Sequence, residues 1–116
     1  MKKITGVIRK SKYKSVKKEL SDLGINFFFN SDLNCDCNIP ESYTLKGMLF
    51  PTLEHVRCSL YVVVPDTLEY QTIQTILQTC YTKDFGDGMI FVSDINESYR
   101  IDDQQLGEQA LDFNTI

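Results

Sequence analysis

Hydrophobic residues along the chain follow two different periods. Between residues 56 and 64 an apolar side chain occupies every second position, and this period of two predicts a half-buried strand. The short apolar runs at residues 4–8 and 89–92 predict two more strands. A mostly apolar run at residues 25–29 predicts another, covered on both faces, whose rings at Phe27, Phe28 and Phe29 we interpret as core.

The first helix is predicted between residues 11 and 24. Its apolar positions recur at steps of three and four and therefore share one face: Tyr13, Val16, Leu20 and Leu23. Ser11 offers a side-chain oxygen that can cap the first turn. Gly24 is expected to end the helix because glycine adopts a left-handed conformation at little cost.

A second helix is predicted after Pro65. Asp66 and Glu69 are three residues apart, a spacing close to that of a capping box. The apolar positions that follow again have helical spacing: Tyr70, Ile73, Ile76, Leu77 and Cys80. Glycines at positions 86 and 88 then break the chain before the strand at residues 89–92, and a last short strand is predicted at residues 99–101.

Strand, helix and strand follow one another twice. Such units interleave into an α+β ferredoxin-like βαββαβ sandwich, in which two helices cover one face of a four-stranded antiparallel sheet. The other face of the sheet would expose Val- and Phe-rich strands, so we expect these open faces to pack together in an oligomer. The 116 residues contain no linker and predict one domain, residues 1–116.

Residues 31–55 show no regular period and form the longest predicted loop. Loops longer than about 12–15 residues are usually functional or disordered. This loop carries five large apolar residues: Tyr43, Leu45, Met48, Leu49 and Phe50. They either fold back onto the core or anchor a partner-binding arm.

Composition narrows the classes of function. A formal charge of -4 argues against broad binding to nucleic acid or anionic lipid. No run is apolar enough to insert into a membrane, so we expect a cytoplasmic protein with reduced cysteines. Cys58 and Cys80 fall on apolar faces and are expected to be inert core. No catalytic constellation is readable around His55, the one histidine, and we expect no enzyme activity.

Several motifs, in order along nearly the whole chain, resemble the PII nitrogen-regulatory family. Residues 82–93 read T-K-D-F-G-D-G-M-I-F-V-S and resemble the family's T-G-x-x-G-D-G-K-I-F-V. V-V-V-P-D at residues 62–66 and G-E-Q-A-L at residues 107–111 also match family segments. Arg100-Ile101 is similar to the start of its R-I-R motif.

The resemblance implies a homotrimeric signal-transduction protein that is not an enzyme. A small effector would bind in a cleft between subunits, and the loop at residues 31–55 would control a membrane transporter or a metabolic enzyme. The residues that the resemblance places in the ligand site are Arg57, Thr82, Gly86, Asp87, Gly88 and Arg100.

This chain departs from the family where phosphate groups would bind. Met89 stands in place of the lysine of G-D-G-K, and Asp102 replaces the second arginine of R-I-R. Each lost charge-assisted hydrogen bond removes about 1.5–3 kcal/mol. We therefore expect the ATP and 2-oxoglutarate site to be altered or lost, with ADP or AMP favoured over ATP and no certain cofactor. Phe50 lies near the position of the family's modified loop tyrosine but has no hydroxyl.

Three alternatives are left open. Cys35, Cys37 and His55 would be the ligands of a trimeric metal-binding protein that resembles the divalent-cation tolerance proteins, although zinc normally takes four ligands. The two cysteines could instead form a thiol switch. A small acyl-phosphate hydrolase is suggested by fold analogy alone.

The acidic tail at residues 102–116 is interpreted as a solvated end or a clasp on a neighbouring subunit.

Overall fold

The computed structural model describes residues 1–25, 27–33, 42–45, 48–51, 57–83 and 86–111. Six strands and two α-helices lie within these ranges. In chain order they are β1 (Lys2–Arg9), α1 (Tyr13–Asp22), β2 (Phe28–Leu33), β3 (Ser42–Leu45), β4 (Met48–Pro51), β5 (Arg57–Val64), α2 (Glu69–Cys80) and β6 (Gly88–Asp94).

Four of the strands form one antiparallel sheet with the order β2-β5-β1-β6. The two strand–helix–strand units therefore interleave, because β5 of the second unit lies between the two strands of the first. This confirms an α+β architecture and is compatible with the predicted ferredoxin-like arrangement. β3 and β4 pair with each other as a separate two-stranded hairpin within the segment predicted as a long loop.

The core lies between the sheet and the two helices. Ile4 and Val62 are cross-strand neighbours and both are buried beneath the helices. Val16 and Leu20 of α1 and Ile76 of α2 complete the same cluster. Each such side chain contributes about 1.5–3 kcal/mol through burial, so this layer supplies most of the stability of one subunit.

The opposite face of the sheet carries large apolar side chains that the described elements leave exposed. Phe27, Phe29, Met89 and Phe91 lie on it and are 55%, 56%, 62% and 53% exposed, respectively. Only Phe28 points to the helix side and packs against the core. The prediction that all three phenylalanines are core, on a strand covered on both faces, is therefore wrong for the described chain. The strand β2 also begins later than predicted, at Phe28, and lies at the edge of the sheet.

In the helices the predicted apolar faces are partly confirmed, whereas the predicted side-chain caps at the helix starts do not form. Val16 and Leu20 are buried, and Gly24 ends the first helix with a φ of 85°. However, α1 begins after a 3-10 turn at Lys10–Lys12, and no side chain caps it. The second helix likewise follows a 3-10 turn, Asp66–Leu68, and no side-chain capping bond forms at its first residue.

The predicted apolar face of α2 is only partly buried. Ile76 and Cys80 are buried, whereas Tyr70 and Leu77 are exposed. Thr72 is buried instead, and its hydroxyl donates to the carbonyl of Leu68 at 2.7 Å, as buried polar groups generally require.

The chain end differs from the prediction of a final strand. Tyr99 and Leu106 form one isolated bridge, and a 3-10 turn follows at Gly107–Leu111. No helix within the described ranges is long and apolar enough to cross a membrane.

Candidate functional site

The turn at residues 86–88, called here the 86–88 turn, lies at one end of the sheet, where β1 ends and β6 begins. Gly86 and Gly88 have φ values of 93° and 127°, in the region that favours glycine. A Cβ on Gly88 would lie 1.8 Å from the carbonyl oxygen of Val7. Gly88 is therefore required for the pairing of β6 with β1, whether or not the turn also binds a ligand.

Asp87 holds this turn in place with both of its carboxylate oxygens. The backbone N–H of Thr82 donates to Oδ2 at 2.8 Å, and the Thr82 hydroxyl donates to Oδ1. Arg9 Nε also donates to Oδ1, at 3.1 Å. Partial burial acts to raise the pKa of Asp87, but the hydrogen bonds from Thr82 and Arg9 and the charge of Arg9 outweigh it. The pKa is lowered, and the group is a fixed anion at neutral pH rather than a poised base.

Arg57 fixes the same turn from the other side. It is the first residue of β5, directly opposite Arg9 of β1, and it is 2% exposed. Its Nη2 donates to the carbonyl oxygen of Gly86 at 2.6 Å. Two like charges on neighbouring strands are unfavourable. The carboxylate of Asp87 accepts a hydrogen bond from Arg9, and the carbonyl of Gly86 accepts one from Arg57, and these contacts offset the repulsion.

Arg100 lies at the opposite end of the sheet. Its Nη2 donates to the carbonyl oxygen of Gln109 at 2.9 Å, and its Nη1 lies 3.5 Å from the carboxylate of Asp103. The side chain is buried, whereas Asp102 is exposed. Arg100 therefore links parts of the C-terminal segment to one another, from residue 100 to the 3-10 turn at Gly107–Leu111.

An aromatic trough lies next to Arg100 on the open face of the sheet. Its walls include Phe27, Phe29 and Tyr61, and its volume is approximately 640 Å³. The rings of Phe29 and Tyr61 are stacked with centroids 5.4 Å apart, and Lys3 Nζ lies 5.1 Å from the Tyr61 ring centroid. Planar rings and a cation over a ring face are suited to binding a flat aromatic group.

The structure brings together five of the six predicted ligand residues and separates the sixth. Arg57, Thr82 and the 86–88 turn form one cluster at the C-terminal end of β1. Arg100 borders the trough near Lys3, at the other end of that strand. At a rise of about 3.3 Å per residue, the six residues from Lys3 to Arg9 separate the two groups by about 20 Å. One subunit does not place them in a common site.

The predicted partner-binding residues fall on the hairpin. Tyr43 and Leu45 belong to β3, and the predicted anchors Met48, Leu49 and Phe50 belong to β4. Tyr43 is in register with Phe50, and Leu45 with Met48. The predicted metal ligands Cys35, Cys37 and His55 lie outside the described residues. Within the described ranges no group of three metal-ligating side chains is present.

The two cysteines predicted to be core are confirmed as buried free thiols. Burial raises the pKa of Cys58 and raises that of Cys80 to about 11. Since the thiolate is the reactive form, neither sulfur is prepared for chemistry at neutral pH.

Sequence reasoning missed two contributors to these clusters. Arg9 contacts Asp87 although 78 positions separate them in the chain. Tyr61 stacks on Phe29 through the pairing of β5 with β2. Both contacts depend on strand register. The ends of β1 and β6 could have suggested the first one, because antiparallel neighbours bring residues 8 and 88 together.

Comparison with known proteins identifies relatives over almost the full length. No family model matches the chain. The chain is 33% identical over 114 residues to nitrogen regulatory protein P-II 1 of Methanothermobacter thermautotrophicus, covering 96% of this chain and 97% of the relative. Identity to nitrogen regulatory protein P-II of Haemophilus influenzae is also 33% over 114 residues, covering 96% and 100%.

A third relative is also similar over most of the chain. The nitrogen fixation nifHD region glnB-like protein 1 of Methanococcus maripaludis is 31% identical over 110 residues, covering 92% of this chain and 99% of that protein. Identity of this size over nearly complete chains, together with the interleaved sheet, shows common descent. The chain belongs to the PII nitrogen regulatory protein family.

Proposed function

We propose that the chain is a PII-like signal-transduction protein, not an enzyme, that acts as a homotrimer. A small effector would bind in the cleft between subunits, and the loop at residues 31–55 would control a membrane transporter or a metabolic enzyme. In this proposal residues 1–116 form one domain with an acidic tail at residues 102–116. Relatives that are named nitrogen regulatory proteins support the regulatory class.

The observation that carries this proposal is the open face of the sheet. Four large apolar side chains on that face, Phe27, Phe29, Met89 and Phe91, are each more than half exposed. Contiguous apolar patches of this kind generally mark interaction sites in soluble proteins. Packing against other copies of the same chain would remove the phenylalanine rings from water, with Met89 bordering the cleft next to the 86–88 turn, and closed symmetric assemblies are the usual outcome.

The separation of the ligand residues supports a site between subunits. The 86–88 turn and the aromatic trough lie at opposite ends of β1, about 20 Å apart by the rise of a strand. A neighbouring copy can bring its own 86–88 turn next to the trough. A ligand would then contact both subunits, and its binding would be coupled to the assembly and to the loop that precedes Arg57.

The charges around the trough and the residue that follows the 86–88 turn support a weakened phosphate site. Arg100 is already bound to the Gln109 carbonyl and lies near Asp103. Met89 and Asp102 are exposed where the resemblance leads one to expect a lysine and an arginine. Phosphate groups need cations and N–H donors, so the proposed site favours ADP or AMP over ATP.

Isothermal titration with ATP, ADP and AMP tests this proposal, with and without magnesium and 2-oxoglutarate. We expect ATP to bind no more tightly than AMP, because the additional phosphates meet no additional cation. The double variant Met89→Lys, Asp102→Arg is the matched control and should bind ATP at least about tenfold more tightly than the wild type does.

Micromolar ATP binding by the wild type would contradict the altered site. A double variant that gains no affinity for ATP would contradict the assignment of these two positions to the cleft. If no adenine nucleotide binds the wild type while the double variant gains ATP affinity, the two positions are correctly assigned to the cleft, and its natural effector is another molecule.

A further inference from the structure

Positive charge is strongly segregated in this chain. Eight of its 12 Lys and Arg residues lie within the first 18 positions, and that segment contains no Asp or Glu. All 16 acidic residues follow it, accompanied by only four cations. An acidic protein therefore carries a basic surface of its own, made by one segment of the chain.

This basic surface lies on and just before α1, where Lys10, Lys14, Lys17 and Lys18 are exposed and Lys12 is half-buried. The helix buries Val16 and Leu20, and the positions opposite to them are Lys14, Lys17 and Lys18. We define the α1 lysine patch by five residues: Lys10, Lys12, Lys14, Lys17 and Lys18. Among the described residues, Lys10 alone of these five has a carboxylate within salt-bridge distance, Asp32 at 3.1 Å.

The patch does not stabilise the helix that carries it. The first turn of α1 contains Lys14 and no acidic residue, whereas Glu19 and Asp22 lie towards its C-terminal end. Both placements are opposite to what the helix dipole favours, because cations are stabilising at the C-terminus and anions at the N-terminus. Lys14 and Lys18 are also like charges at positions i and i+4, which repel each other.

Among the described residues the ion pair of Lys10 with Asp32 is the one compensating salt bridge of the patch, and a local arrangement that opposes stability in this way is characteristic of a functional surface. The patch spans nine residues, about 13 Å at the helical rise of about 1.5 Å per residue. A partner must therefore concentrate its negative charge within a few residues. An extended polyanion such as duplex DNA or a bilayer would also meet the acidic remainder of a chain whose formal charge is -4.

We propose that the α1 lysine patch docks a short acidic segment of a partner protein. The patch is on the helix layer, on the opposite side of the sheet from the apolar open face and the aromatic trough. The docking surface is therefore separate from the proposed oligomer contact and the proposed effector site, and it touches the loop only through the ion pair of Lys10 with Asp32.

Fluorescence anisotropy with a labelled deca-glutamate peptide tests the proposal at low ionic strength. We expect the full chain to bind the peptide and the affinity to fall as salt is added, since exposed charges are screened. Lys14→Gln with Lys18→Gln should weaken binding at least about fivefold, the loss expected for two exposed charge contacts. Lys2→Gln with Lys83→Gln changes the net charge equally but lies outside the patch, and should change binding less than about twofold.

Three results would overturn the proposal. They are no peptide binding by the wild type, equal losses in the two double variants, and tighter binding to duplex DNA or to phosphatidylglycerol vesicles than to the peptide. Circular dichroism of both variants establishes that each is folded, and glutamine retains the helix propensity of lysine. Loss of peptide binding confined to the patch variant would establish the docking surface.

Discussion

The two faces of the four-stranded sheet differ in what covers them. On the helix side Ile4, Leu60 and Val62 are at most 2% exposed. On the open side Phe29 and Phe91 lie on strands of the same sheet and are more than half exposed. Both faces are apolar, so hydrophobicity alone does not explain the difference. The helix side is completed when one chain folds, whereas the rings on the open side remain exposed in the described part of one chain.

This difference separates the residues into two energetic groups. Substitutions on the helix side should reduce the free energy of unfolding of a subunit, because they remove buried contacts. Substitutions on the open side should leave the subunit folded and weaken its association. Four substitutions can test or refine this separation, and they follow from the largest expected effect to the smallest.

The largest effect is expected from Leu60→Ala on the helix side. Leu60 is 0% exposed, and its truncation leaves a cavity between β5 and the helices. We expect a loss of about 2–5 kcal/mol in the free energy of unfolding. Urea denaturation at one fixed protein concentration measures it, since association also contributes to apparent stability. A loss well below this range would mean that the helix side is not the principal core.

Phe91→Glu should have its effect on the open side. We expect the subunit to remain folded while association weakens by about 2–4 kcal/mol, because a charge replaces a buried aromatic anchor. Tyr70→Glu is a matched control, since Tyr70 is an exposed aromatic residue on α2. Size-exclusion chromatography with light scattering compares the two. If Tyr70→Glu dissociates the assembly and Phe91→Glu does not, the open face is not the interface.

Asp87→Asn tests the end of the sheet where the two arginines meet. Loss of the charge that pairs with Arg9 should cost about 1–2 kcal/mol near neutral pH. Because the folded-state pKa of Asp87 is lowered, its contribution is complete above the unfolded pKa of about 4 and is lost as pH falls through the folded value. The difference in free energy of unfolding between wild type and variant should thus be constant from about pH 5 to pH 8, above the unfolded pKa of about 4, and should shrink below that pKa. Denaturation series at several pH values measure this, and a difference that grows in acid would contradict the ion pair.

Lys14→Glu should give the smallest change, and with the opposite sign. An acidic residue in the first turn of α1 complements the helix dipole and removes the repulsion from Lys18, so the free energy of unfolding should rise by about 0.3–1 kcal/mol. Lys83→Glu changes the charge equally outside the helix and serves as the control. Thermal denaturation at low salt detects the difference. Destabilisation by Lys14→Glu would show that the lysines contribute to folding after all.

Periodicity predicted which residues share a face, but not how fully that face is covered. Leu20 and Ile76 were predicted as core and are buried. Leu77 has the same helical spacing yet is exposed, because the extent of cover depends on how α2 lies over the sheet. The three consecutive phenylalanines gave no alternation to read. The alternation comes from the geometry of the strand, which directs Phe28 to the helix side and Phe27 and Phe29 to the open side.

The candidate site was less predictable than the fold for a related reason. Motifs named the glycines of the 86–88 turn, and the structure gives the steric reason for Gly88. The contact of Arg9 with Asp87 and the stacking of Tyr61 on Phe29 depend on register between distant strands, which no local pattern encodes. The engagement of Arg100 by the Gln109 carbonyl depends on the path of the C-terminal segment.

Sedimentation equilibrium of the wild-type protein tests the central claim most directly. If the open face is completed by other copies of the chain, the mass should be about 40 kDa, three times the 13.4 kDa of one chain, across micromolar concentrations. A mass of 13.4 kDa at every concentration would contradict the claim, and the exposed phenylalanines would then require a different partner.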